Sequence, residues 1–327
     1  MTVQHQKTPG SIENGVLFGE EGQLFLASGG HAVIDFALGK RKVSPESISV
    51  FSENLLSRGD CAQRHCVPYV HVIFPDKQSV LTKLFPLGEP VCLGDVYLQG
   101  ASEVANSVLY PRDLLRELGP ASFQQTDTHL SDLGTAAVAC SLLDRLFKVS
   151  HATDFRNIVD AINVPQKWVG DLGRRFVPEL SEIRLTFPRG RSIKWFNNNV
   201  SGGNNGIVDL TFNAEARYDK RLLIFGDSFG RELARFLVHF IREVIFLRTP
   251  FFHHEMFDQI SPDLVVTENV ERYLSSCSSD ELRPSFLLYP FLGDGQCAPN
   301  KEFAKAFSAV LSFPRKPYWD FRTSISL

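Results

Sequence analysis

Arg221-Leu-Leu-Ile-Phe-Gly-Asp-Ser228-Phe-Gly230 is an apolar run that ends in a glycine-flanked serine. The run predicts a strand. Beyond it Leu233, Phe236, Leu237, Phe240 and Ile241 recur at helical spacing, so the turn opens an amphipathic helix. A serine on such a strand-to-helix turn projects its hydroxyl above the sheet and can face a developing oxyanion with its own N–H. Ser228 is therefore the candidate nucleophile. The pentad Gly226 to Gly230 alone is more often an ordinary buried turn, so the assignment needs a base elsewhere in the chain.

Chain order restricts where that base lies. An α/β-hydrolase places its acid and then its histidine after the serine, yet the last histidines here are His253 and His254, and the remainder of the chain has none. Upstream, Asp127 and His129 stand before a segment in which Leu133, Ala136, Ala137, Cys140 and Leu143 share one helical face. Ser131 suits the N-cap of that helix, and Gly134 permits close packing.

The block Asp127-Thr-His129-Leu-Ser-Asp-Leu-Gly134 resembles the Asp/His block of the SGNH (GDSL-type) hydrolases, and Gly226-Asp227-Ser228 resembles their nucleophile block. The order is reversed, with the Asp/His pair about a hundred positions before the serine. Other strands fit a circular permutation: Glu243-Val-Ile-Phe-Leu247 after the first helix, Pro262-Asp-Leu-Val-Val-Thr267 like the third SGNH strand, and Tyr69-Val-His-Val-Ile-Phe-Pro-Asp-Lys77 like the strand that ordinarily precedes the pair. This arrangement is similar to the alginate O-acetyltransferases, as are Val16 to Leu26 and Glu268-Asn-Val-Glu-Arg-Tyr-Leu274.

The resemblance implies an α/β fold of three layers: a circularly permuted SGNH-like domain spanning 1–327 around a mostly parallel central sheet, with a β-rich insertion at about 171–212. That segment reads as Glu182-Ile-Arg-Leu-Thr-Phe187 and Ile207-Val-Asp-Leu-Thr-Phe212, separated by turns rich in glycine and asparagine. The resemblance also implies a Ser228, His129 and Asp127 triad that forms an acetyl-serine. Its partners would be an acetyl donor and a carbohydrate acceptor, with no cofactor. A sugar hydroxyl as acceptor makes a carbohydrate O-acetyltransferase and water an acetylesterase; a silent carbohydrate-binding scaffold is the alternative of another class. Lys77 and Arg272 are candidate cations for an anionic sugar or carboxylate, although surface ion pairs are the commoner use of such residues. The family's usual oxyanion glycine and asparagine blocks are not located in the sequence, since Arg248 and the Glu268 to Arg272 run occupy the corresponding strand ends.

Composition sets outer bounds. The 327 residues are 43% hydrophobic and 22% charged, which suits one elaborated domain, and a net charge of −3 offers no general attraction to nucleic acid or an anionic membrane. The N-terminus lacks an apolar signal region, and no stretch approaches a membrane span; both point to a cytoplasmic protein, with a periplasmic one the alternative if the N-terminus was trimmed. Six scattered cysteines read as reduced thiols. Asp60-Cys61-Ala-Gln-Arg-His65-Cys66 has no second pair at zinc spacing, so no metal is expected. His253-His254 reads as a helix N-terminus packed on the core rather than an aromatic lip. From Asp280 onward, prolines and aromatics predict a segment that wraps the core.

Overall fold

The computed structural model describes residues 8–188, 190, 192–201, 204–292 and 296–311. The start of the N-terminal stretch, parts of the glycine-rich turns, and Pro314 and Pro317 of the wrapping segment lie outside these residues.

The elements that build the site are α1 (Pro45–Arg64), β1 (Tyr69–Phe74), β2 (Val108–Leu109), α2 (Asp132–Phe147), β3 (Ile193–Asn197), β4 (Val208–Asn213), β5 (Tyr218–Gly226), α3 (Ser228–Leu237), β6 (Ile241–Arg248), α4 (His254–Ile260), β7 (Leu264–Val270) and α5 (Lys301–Val310). Seven strands form one sheet in the order β2-β1-β7-β5-β6-β4-β3. The pairs β2-β1, β1-β7, β7-β5 and β5-β6 are parallel, whereas β4 joins β6, and β3 joins β4, antiparallel. Leu222 to Phe225 of the central strand are at most 1% exposed, which is why that strand is apolar without alternation.

Successive residues of β5 serve opposite layers. Leu222 and Ile224 join Val72, Phe74 and Val266 under α2 and α3, while Leu223 and Phe225 join Ile245, Leu247 and Val265 under α4 and α5. The second face is continued by α1, whose Phe51 and Leu55 pack with Ile73. The result is a three-layer α/β sandwich around a mostly parallel sheet. The sheet closes the chain order through one pairing: β1, the first core strand in sequence, lies parallel to β7, the last, with Tyr69 opposite Val265 and Phe74 opposite Val270.

The β-rich segment divides. Ile193–Asn197 and Val208–Asn213 extend the main sheet, whereas Glu182–Thr186 forms a separate antiparallel ribbon with Val164–Trp168, upstream of the expected limits. His253 is the N-cap residue of α4 and is fully buried. All six cysteines are free thiols. No helix among the described residues is long and apolar enough to cross a membrane.

Candidate active site

Ser228 is the first residue of α3, directly beyond the C-terminal end of β5, the edge at which parallel α/β sheets present ligand sites. The turn is held from within. Asp227 caps α3 by accepting the Phe229 N–H at 2.8 Å with Oδ1, and its Oδ2 accepts the Val270 N–H of β7 at 2.8 Å. The aspartate of the Gly-Asp-Ser block is thus a brace between neighbouring strand ends. No acceptor for the Ser228 N–H is present among the described residues, so this donor is free to meet an oxyanion.

The Asp127 to His129 loop precedes α2. It is pinched at its base by the Phe123 and Leu130 bridge and by Ser131 N–H donating to Ser122 O at 2.9 Å. Ser131 caps α2 through its side chain on Gly134 N–H at 3.0 Å. Gly134 is a site of close approach, because a Cβ there would lie 2.2 Å from Ser122 O. This pinch carries His129 over α3. Its Nε2 lies 2.8 Å from Ser228 Oγ, and its Nδ1 lies 2.7 Å from Asp127 Oδ1. The ring also rests on Phe229, centroid to centroid 4.8 Å.

Asp127 is only 3% exposed and its acceptors are well used. Oδ1 also accepts the His129 N–H at 3.0 Å, and Oδ2 accepts Trp168 Nε1–H at 3.2 Å and the Asp171 N–H at 3.3 Å. Burial opposes ionisation of Asp127, but the hydrogen bonds and charge of His129 overcome it and hold the carboxyl well below its usual range. Burial likewise opposes the His129 imidazolium, and the hydrogen bond and charge of Asp127, with Asp171 behind it, raise its pKa above the ordinary histidine value. Arg272 works weakly in the other direction. Burial and then the Asp127 charge raise Asp171, which is tied to Thr128 through N–H at 2.8 Å and Oγ1–H at 2.5 Å.

The structure corrects the role expected of Lys77. Its ammonium is buried and donates to the carbonyls of Gln124, Gln125 and Asp127 at 2.6, 3.0 and 3.2 Å, so its three protons hold the Asp127 loop from below instead of meeting a ligand. Burial brings its pKa down to about 7, against the opposing charges of Glu182, Asp127 and Asp171. Arg272 is likewise no free cation: it pairs with Asp76 at 2.6 Å, the two side chains being 9% and 8% exposed, and its guanidinium lies 5.4 Å above Phe229. It faces the same ring as His129 and stays near the site as part of its wall.

Sequence reasoning missed Trp168, Asp171 and Glu182. Glu182 accepts the N–H groups of Gln125 and Thr126 at 2.8 and 2.7 Å, and Arg184 stacks on Trp168 at 3.7 Å. All of them come from the ribbon or its connection, where the family resemblance fades; the run Trp168-Val-Gly-Asp171 was the available signal. Asp127, His129 and Asp171 also present ligand atoms within 4.8 Å of one another, but these atoms are engaged in the hydrogen bonds just described.

No family model and no curated protein matches the sequence. The fold is similar to that of Bacillus cereus PatB1 with a sulfonyl adduct, at a TM-score of 0.58 and 10% identity over 82% of this chain and 97% of that one. A DHHW family protein from Eubacterium siraeum is similar at a TM-score of 0.52 and 11% identity, over 84% and 96% of the two chains. The O-acetyltransferase domain of Pseudomonas putida AlgJ gives a TM-score of 0.48 at 18% identity, over 83% and 96%. The PatB1 likeness shows a shared α/β fold.

Proposed function

We propose that the protein is a carbohydrate O-acetyltransferase, acting on a polysaccharide through an acetyl-serine on Ser228. The observation that carries this reading is the continuous relay from Asp127 through His129 to Ser228, at 2.7 and 2.8 Å. The resemblance of its two blocks to the alginate O-acetyltransferases, and a fold shared with a protein whose structure was solved with a sulfonyl adduct, support the acyl chemistry.

In the first half-reaction Ser228 Oγ attacks the acetyl carbonyl carbon while His129 Nε2 takes the hydroxyl proton. The carbonyl electrons move to oxygen, where the Ser228 N–H donates to the oxyanion. Collapse expels the donor's leaving group, which receives the proton from His129. In the second half a sugar hydroxyl gives its proton to His129 and attacks the ester, and Ser228 leaves with that proton returned. Asp127 fixes the imidazole with Nδ1 protonated and stabilises the imidazolium in both halves. A water in place of the sugar gives the acetylesterase.

A serine-directed fluorophosphonate should label wild-type protein at Ser228, with the site read by peptide mapping. Ser228→Ala should abolish labelling, and His129→Ala should slow it by about 10⁴-fold or more. With an activated acetyl ester, an oligosaccharide acceptor should raise donor consumption and yield acetylated sugar. Fast turnover without sugar, together with deacetylation of acetylated glycans, would transfer the assignment to the esterase; label on another residue would remove the nucleophile.

A further inference from the structure

Gly226 and Gly230, on either side of the serine turn, share one neighbour. A Cβ at Gly226 would lie 1.9 Å from Glu268 Oε1, and one at Gly230 would lie 2.4 Å from the same atom. Neither glycine has a positive φ, so backbone freedom does not explain them. They make room for a carboxyl.

Glu268 stands on β7 beside β5 and is 4% exposed. Its Oε1 accepts the Asp227 N–H and, at 3.0 Å, the Gly230 N–H, the donors that bracket Ser228. Its Oε2 is buried with no hydrogen-bond partner among the described residues. The charged and titratable groups around it are Asp227 on the turn, Arg248 at the end of β6 and Tyr273 beyond β7. Burial, then the Asp227 carboxylate, raise Glu268 well above the usual carboxyl range, against the two N–H groups and Arg248.

We propose that Glu268 is a positioning residue for Ser228: its Oε1 accepts the N–H groups of residues 227 and 230 and fixes the turn with the Ser228 N–H facing the oxyanion. This role rests on the assignment of Ser228 as nucleophile. The upward shift favours the uncharged acid, which spares the site a second negative charge, beside that of Asp227, close to where the oxyanion develops. A neutral carbonyl oxygen supplies the same two hydrogen bonds without that field.

Two substitutions of similar size separate the contributions. Glu268→Gln keeps an uncharged carbonyl acceptor, and Glu268→Met keeps the length with no acceptor. The measurement is fluorophosphonate labelling of Ser228 across reagent concentration, with thermal unfolding alongside. Glu268→Gln should label within about threefold of wild type, whereas Glu268→Met should lose at least about tenfold in maximal rate with little change in half-saturating reagent. A Met variant as fast as wild type, or a folded Gln variant slowed tenfold, overturns the role. If Glu268→Met does not fold, Glu268→Leu, which also lacks an acceptor, takes its place and is read against the same two outcomes. Labelled wild type with an equally fast Met variant leaves the nucleophile standing and removes Glu268; wild type that never labels at Ser228 removes both.

Discussion

In the proposed mechanism His129 takes the serine proton only when neutral, and its pKa is raised. Ser228 labelling should therefore be lost as pH falls, with a midpoint above the ordinary histidine value. Asp127→Asn removes the charge that opposes the effect of burial on His129, so the midpoint should move to lower pH while the plateau rate falls by about 10² to 10⁴-fold. A pH profile of labelling checks both movements; an unmoved midpoint would mean that Asp127 does not govern the imidazole. Asp127, His129 and Ser228 were legible as residues because their two blocks are short and local. Trp168, which donates to the far oxygen of Asp127, was not, because nothing within a ribbon strand tells which carboxylate its indole will meet.

The elements that place these side chains depend on close backbone contact. The Asp127 loop is closed at Ser122 and Ser131, and Gly134 presses on the Ser122 carbonyl. Gly134→Ala introduces a Cβ that only a backbone shift can accommodate. It should destabilise the protein by about 1–3 kcal/mol in urea unfolding and slow Ser228 labelling more than an alanine substitution at exposed Asp113 does, since the displaced segment carries His129. Equal labelling would separate the loop stem from the site. The N-cap at Ser131 and the packing glycine were both readable from spacing. The fate of the Ile207 to Phe212 run was less so: its pattern predicts a strand, but joining the main sheet depends on the edge of β6, and Ile193–Asn197, which pairs with it in turn, lies outside the strands predicted from sequence.

Across the whole molecule, the descending segment after β7 is fastened to the first long helix by a buried pair. Arg58 of α1 donates twice to Asp280 at 2.7 and 2.8 Å, and Asp280 also accepts the Phe252 N–H at 3.0 Å. Arg58→Met leaves the carboxylate buried without its partner, and should cost about 3–5 kcal/mol in chemical denaturation. The loss should be shared by the whole cooperative unit, because the pair joins parts of the chain 222 positions apart. A loss below about 1 kcal/mol would show that the segment is held by its apolar contacts alone.

Sequence alone carried the strand, the serine turn, the following helix as far as Leu237 and the Asp/His block, since hydrophobic period, turn chemistry and capping act over a few residues. Phe240 and Ile241, which share the helical period, instead form the turn and the start of β6. Their permuted order also indicated how the sheet closes. The partners across the fold required the folded chain. Lys77 and Arg272 look like cations available to a ligand until burial gives one to three loop carbonyls and the other to Asp76. Gly226 and Gly230 look like turn glycines until Glu268 from the neighbouring strand fills the space they leave. Local pattern specifies which element forms, but the desolvation and charge that assign a side chain its role come from residues brought beside it only by strand register and layer packing.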